Sequence, residues 1–103
     1  MPVTRPKIRT DLTVAELDGE SVVYDELTGH LHYLNATATL VFNLCDGTAT
    51  MRESAADVAH VYAMPEEEVE QQIRALVRRF RRVGLLEGKG GPPRKASGNG
   101  ASR

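Results

Sequence analysis

The chain has 103 residues, enough for one domain, with 41% apolar residues, 26% charged residues and a net charge of −1. No apolar run approaches the roughly 20 residues that cross a bilayer, and the opening MPVTRPKIRTDL lacks the apolar segment of a signal peptide. A lone cysteine, Cys45, excludes an internal disulfide and fits a reducing compartment, so the expected location is the cytoplasm, with no membrane contact.

Charge is unevenly spread. Residues 1–87 carry 9 Lys/Arg and 14 Asp/Glu, whereas residues 88–103 carry four cations and no acid. That last stretch, GKGGPPRKASGNGASR, has nothing to bury and cannot offset its ordering entropy, so a disordered basic tail is expected there. Residues 1–11, with Pro2 and Pro6, read as an extended N-terminal arm, which leaves residues 12–87 as the domain.

LTVAELDGESVVYDELTGHLHYL reads as a three-stranded antiparallel meander. Leu12 to Leu17 alternates as a half-buried strand should. Asp18-Gly19 is a hairpin turn signal, because both residues tolerate positive φ. Ser21 to Asp25 holds the strand formers Val22, Val23 and Tyr24. DELTG makes a longer hairpin loop, and His30 to Leu34 is the third strand. Asn35 then caps an apolar helix, ATATLVFNLCD, whose buried face is Ala38, Val41, Phe42 and Cys45. Thr50 and Glu53 form a capping box for a second helix with a face of Ala55, Val58, Ala59 and Tyr62. Pro65 opens the third helix, where Glu66, Glu67 and Glu68 complement the helix dipole. Val69, Ile73, Leu76, Phe80 and Val83 mark its core face, with Val77 on the shoulder nearer solvent. Gly84 stops it, and Leu85-Leu86 fold back onto the core. The order is β-β-β-α-α-α, an α+β domain of winged-helix-like build.

Catalytic hardware is scarce. His30 and His32 share a strand face and could hold two corners of a metal site, but catalytic zinc takes three protein ligands and structural zinc four. Asp25 and Glu26 precede Thr-Gly as turn residues commonly do. Cys45 has no basic neighbour in sequence to lower its pKa. No phosphate-binding loop or dinucleotide fingerprint is present. The RRFRR run at 78–82 is the strongest positive patch. An enzyme acting alone is not expected, nor is a cofactor.

YDELTGHLHYLN joined to TATLVFNLCDGT, followed by EEEVEQQIRALVRRFRRVGLLE, resembles the PqqD-like proteins, the precursor-peptide recognition element of pathways that modify ribosomally made peptides. The resemblance spans about Leu12 to Glu87. It implies a non-catalytic, winged-helix-like domain that binds the leader of a precursor peptide and presents it to a modifying enzyme, often a radical S-adenosylmethionine enzyme. It also implies that the leader adds beside the third strand, in a groove walled by the third helix. On this sequence the edge is His30, Leu31, His32, Tyr33 and Leu34. For the wall, the helical wheel selects Arg74, Val77, Arg78 and Arg81. Ser54 departs from the resemblance, standing where an apolar residue is expected, and a free edge strand also permits a homodimer. The competing reading is a winged helix that binds DNA through RRFRR. Against it, the body is net −5, the strands precede all three helices, and three glutamates open the helix whose N-terminal end would face the bases.

Overall fold

The computed structural model describes residues 4–88; most of the stretch expected to form a basic tail lies outside them. Strands β1 (Thr13–Leu17), β2 (Glu20–Asp25) and β3 (His30–Leu34) precede helices α1 (Ala36–Leu44), α2 (Met51–Tyr62) and α3 (Glu66–Arg82). The strands form one antiparallel sheet in the order β1-β2-β3, which is the expected α+β arrangement. Asp18 and Gly19 both take positive φ (56° and 81°), as a two-residue turn matched to strand twist requires.

Register divides the sheet cleanly. Ser21 pairs with Leu34, Val23 with His32 and Asp25 with His30, and these face the helices. Leu34, Val23 and Asp25 are almost wholly enclosed. The core continues through Ala38, Val41 and Phe42 of α1, Ala55 and Ala59 of α2, and Ile73 and Phe80 of α3. Phe42 and Phe80 meet edge to face, with ring centroids 5.9 Å apart. Leu85 and Leu86 close the core from below, as expected.

Three burial expectations need correction. β1 is exposed along its whole length rather than half-buried, because the helices meet the sheet chiefly beneath β2 and β3. In α2, Tyr62 is exposed; its buried positions are Ser54, Ala55 and Ala59, so Ser54 is enclosed as an apolar residue would be. In α3, Val77 is 1% exposed while Leu76 is half-buried, the reverse of the wheel reading. The most extensive helix contact of α3 is with α2, and Val77 and Leu76 stand on opposite flanks, so only one of them can be enclosed.

Residues 6–9 are locked onto the domain. The Ile8 N–H donates to the Cys45 carbonyl at 2.8 Å, the Arg9 N–H to Leu85 at 2.9 Å, and the Glu87 N–H to Lys7 at 2.8 Å. The segment therefore joins the end of α1 to the chain that follows α3.

Candidate functional site

The passage from β3 into α1 is built from short polar side chains. Asn35 has extended backbone, and its side-chain oxygen accepts from the Ala38 N–H at 2.9 Å, so the helix starts one residue after the strand ends. Thr39 donates its hydroxyl to the Leu34 carbonyl at 3.2 Å and shares a buried hydrogen bond with Ser21 at 2.8 Å. These contacts fix the last residue of β3 to both α1 and β2.

β3 is hydrogen-bonded to β2 on one side; among the described residues no strand pairs with its other edge. The N-terminal segment bridges to Asp46 and Leu86 instead. The two outer edges of the sheet differ in chemistry. β1 carries Glu16 and is flanked by Asp11 and Asp18, the kind of charge that deters strand addition. His30, Leu31, His32, Tyr33 and Leu34 include no carboxylate, lysine, arginine, proline or glycine. The edge is unguarded.

Side chains alternate along it. Leu31 and Tyr33 project to the face away from the helices and are 69% and 59% exposed. His30 and His32 face the helices, their rings edge to face at 6.2 Å. His32 is half-buried, and its Nε2 is enclosed with no hydrogen-bond partner among the described residues. Burial pushes its pKa below the ordinary histidine value, and the charges of His30 and Arg79 add to that, against the opposing pull of Asp25. The charge of Arg79 therefore reaches β3. No group of three or more metal-ligating side chains occurs among the described residues.

The α3 residues selected from the wheel differ in surroundings. Val77 is enclosed in the core. Arg74 bonds Glu70 at 2.7 Å and borders a shallow depression with Thr4, Thr50, Met51 and Arg52. Arg78 is exposed, and the charge of Arg81 is felt at Cys45. At about 100° per residue, Leu76, Arg79 and Val83 share one flank, with Arg74, Arg78 and Arg81 roughly 140–160° round from Leu76. Arg79 is thus the arginine on the Leu76 flank, and its charge is felt at His32 of β3.

Sequence reasoning also missed the anchor at the other end of the strand. Asp25, read as turn chemistry, is 0% exposed. Its carboxylate accepts from Arg9 at 2.8 and 3.1 Å and from the Leu27 N–H at 3.0 Å. Arg9 also donates to Asp11 and to the Gly84 carbonyl at 2.9 Å. Burial alone would raise the Asp25 pKa, but the Arg9 hydrogen bond and charge outweigh it and hold the carboxyl below its usual range. The β2–β3 loop, the N-terminal segment and the end of α3 are thereby tied at one point. A mid-chain Asp and an Arg sixteen residues earlier leave no local pattern that could announce this.

Cys45 is buried, and desolvation pushes its thiol up to about 11. The thiolate fraction at neutral pH is then minute, so a chromogenic disulfide reagent at pH 7.5 should react with Cys45 far more slowly than with glutathione, and at full speed in denaturant. Equal rates in native protein would contradict the enclosure.

The family model for PqqD, coenzyme PQQ synthesis protein D, matches residues 20–86. A solved structure described as TbiB1 in complex with the TbiA(beta) leader peptide superposes with a TM-score of 0.70 at 26% identity, covering 80% of this chain and 95% of that one. A second, lasso peptide synthetase B1 complexed with the leader peptide, gives a TM-score of 0.71 at 24% identity over 82% of this chain and 100% of that one, a likeness of fold. No curated protein matches. With two-thirds of its length inside the family model, from the second strand through the third helix to Leu86, the chain belongs to the PqqD family.

Proposed function

We propose that the chain binds the leader segment of a ribosomally made precursor peptide as a fourth strand on β3 and delivers it to a modifying enzyme, performing no chemistry itself. The single observation that supports this best is the unguarded edge from His30 to Leu34, with which no second strand pairs among the described residues, held at one end by the Asn35 cap and at the other by Asp25. The TbiB1 complex, in which a protein of the same fold holds a leader peptide, supports the same reading. In this reading residues 12–87 are the recognition domain, with the N-terminal arm clasped to it and residues 88–103 an accessory tail. The expected enzyme is of the radical S-adenosylmethionine type, and the expected compartment is the cytoplasm.

In this reading the guest strand is walled by the α3 flank of Leu76, Arg79 and Val83, a choice supported by the charge of Arg79 felt at His32. A five-residue guest makes about four backbone hydrogen bonds worth roughly 0.5–1.5 kcal/mol each, and ordering it costs about 2–5 kcal/mol. Main-chain pairing therefore roughly cancels. Micromolar affinity needs about 8 kcal/mol, so apolar anchors at roughly 1.5–3 kcal/mol each supply the surplus. Specificity lies in side chains, as in other strand-addition modules.

DNA binding is not favoured, since acids outnumber cations in the folded body and strands precede helices. Where a short precursor-peptide gene adjoins that of this chain, calorimetric titration with its leader, with a scrambled leader and a random DNA duplex as controls, tests the reading. Saturable binding of the leader alone is expected. Equal binding of the scrambled peptide, or of the duplex, would contradict it.

A further inference from the structure

We propose that the outward face of the sheet is a second docking surface, built for an apolar protein patch rimmed by lysine and arginine. Its occupant is the modifying enzyme, an identity that rests on the function proposed above. Ala15 pairs with Val22, Val22 with Tyr33, and Tyr24 with Leu31, so these side chains lie on one face with Leu17. The helices pack on the opposite face, and Leu17, Leu31 and Tyr33 are each more than half exposed. A cluster of large apolar side chains with two tyrosines is the composition of an interface centre rather than of ordinary surface.

Charge identifies the kind of partner. Asp18 and Glu20 stand at one end of this face and Glu26 at the other, with Glu20 bonded to the Tyr33 hydroxyl. From Thr10 to Met51 there is no lysine or arginine at all. A second copy would bring the same acidic rim against this one and be repelled. The chain's own terminal stretch, residues 89–103, is basic but has no side chain larger than alanine or proline among its apolar residues, so it offers nothing to cover Leu17, Leu31 and the tyrosines. A basic-rimmed apolar surface on the enzyme meets both requirements. Backbone groups of the β3 edge point within the plane of the sheet, whereas this face is perpendicular to it, so leader and enzyme are held at once.

The probe is the purified product of a peptide-modifying enzyme gene that adjoins that of this chain, titrated against full-length protein with and without leader. Val22→Lys is expected to weaken enzyme binding at least about tenfold, or 1.4 kcal/mol, with leader affinity and thermal stability unchanged. Leu17→Lys, on the exposed first strand, repeats the measurement should Val22→Lys fold poorly. Raising salt from roughly 50 to 500 mM should weaken the wild-type pair. Unchanged enzyme affinity in both variants would overturn the proposal, as would a wild-type dimer in sedimentation that Val22→Lys converts to monomer. Enzyme binding that stays sensitive to Val22→Lys in a protein that binds no leader would uphold this surface and overturn the leader-binding reading instead.

Discussion

Replacing Asp25 by alanine should cost about 3–5 kcal/mol of folding free energy, the usual consequence of leaving one member of a buried ion pair without its partner. Arg9 would keep Asp11 and the Gly84 carbonyl, but Asp11 is largely exposed and offsets little. Against a typical domain stability of about 5–15 kcal/mol the loss is severe, and urea denaturation of the variant should show it as a large fall in midpoint. The same carboxyl gives the protein an acid-sensitive edge. Its pKa is lower in the folded chain than in the unfolded one. The stabilisation is therefore fully present above the ordinary aspartate value near about 4 and is lost as pH falls through the lower, folded value. Asp11, lowered by the same guanidinium, adds in the same direction. Wild-type stability should drop steeply below about pH 4, and Asp25→Asn should flatten that drop while lowering stability at neutral pH. A wild-type profile flat down to pH 2 would contradict the pairing.

Arg79→Glu should weaken leader binding by about tenfold to a hundredfold, or roughly 1.4–2.8 kcal/mol, provided the guest carries an acidic residue opposite it. Arg79 is the cation whose charge reaches the helix-facing side of β3. Arg79 is exposed in the free protein, and a guest strand laid on β3 would partly desolvate it, so that reversal replaces attraction by repulsion where charge pairs count for more than at an open surface. Arg74→Glu and Arg78→Glu serve as internal comparisons, since Arg74 is engaged with Glu70 and both lie away from the Arg79 flank. They should change affinity by no more than about threefold, the effect expected of screened surface charge. Equal losses from all three reversals would mean that the helix acts as a diffuse basic patch rather than a directed wall.

Local signals and long-range contacts explain what could be read in advance. The strand-helix junction was legible because its devices are local: alternation through His30–Leu34, a capping Asn35, and a helical period immediately after. Thr50 and Glu53 likewise make both hydrogen bonds of the capping box. Periodicity on α3 gave the apolar stripe but not its orientation. Val77 and Leu76 were exchanged because the flank that α2 covers depends on a packing partner outside the helix. Which arginines of α3 stand nearest β3 depends on that same orientation. Asp25 shows the limit most plainly, as its partner lies sixteen residues away in a segment read as a mere arm. Contacts of that separation belong to tertiary structure and leave no periodic trace.

Amide hydrogen exchange of β3, followed residue by residue with and without the leader peptide, tests the central claim most directly. Among His30 to Leu34, alternate amides already point to β2 and should be protected throughout. The intervening amides, which point outward, should exchange freely in the apo protein and become protected when the leader is added, while the amides of β1 do not change. Outward amides that exchange equally fast in the presence of saturating leader would contradict strand addition at this edge.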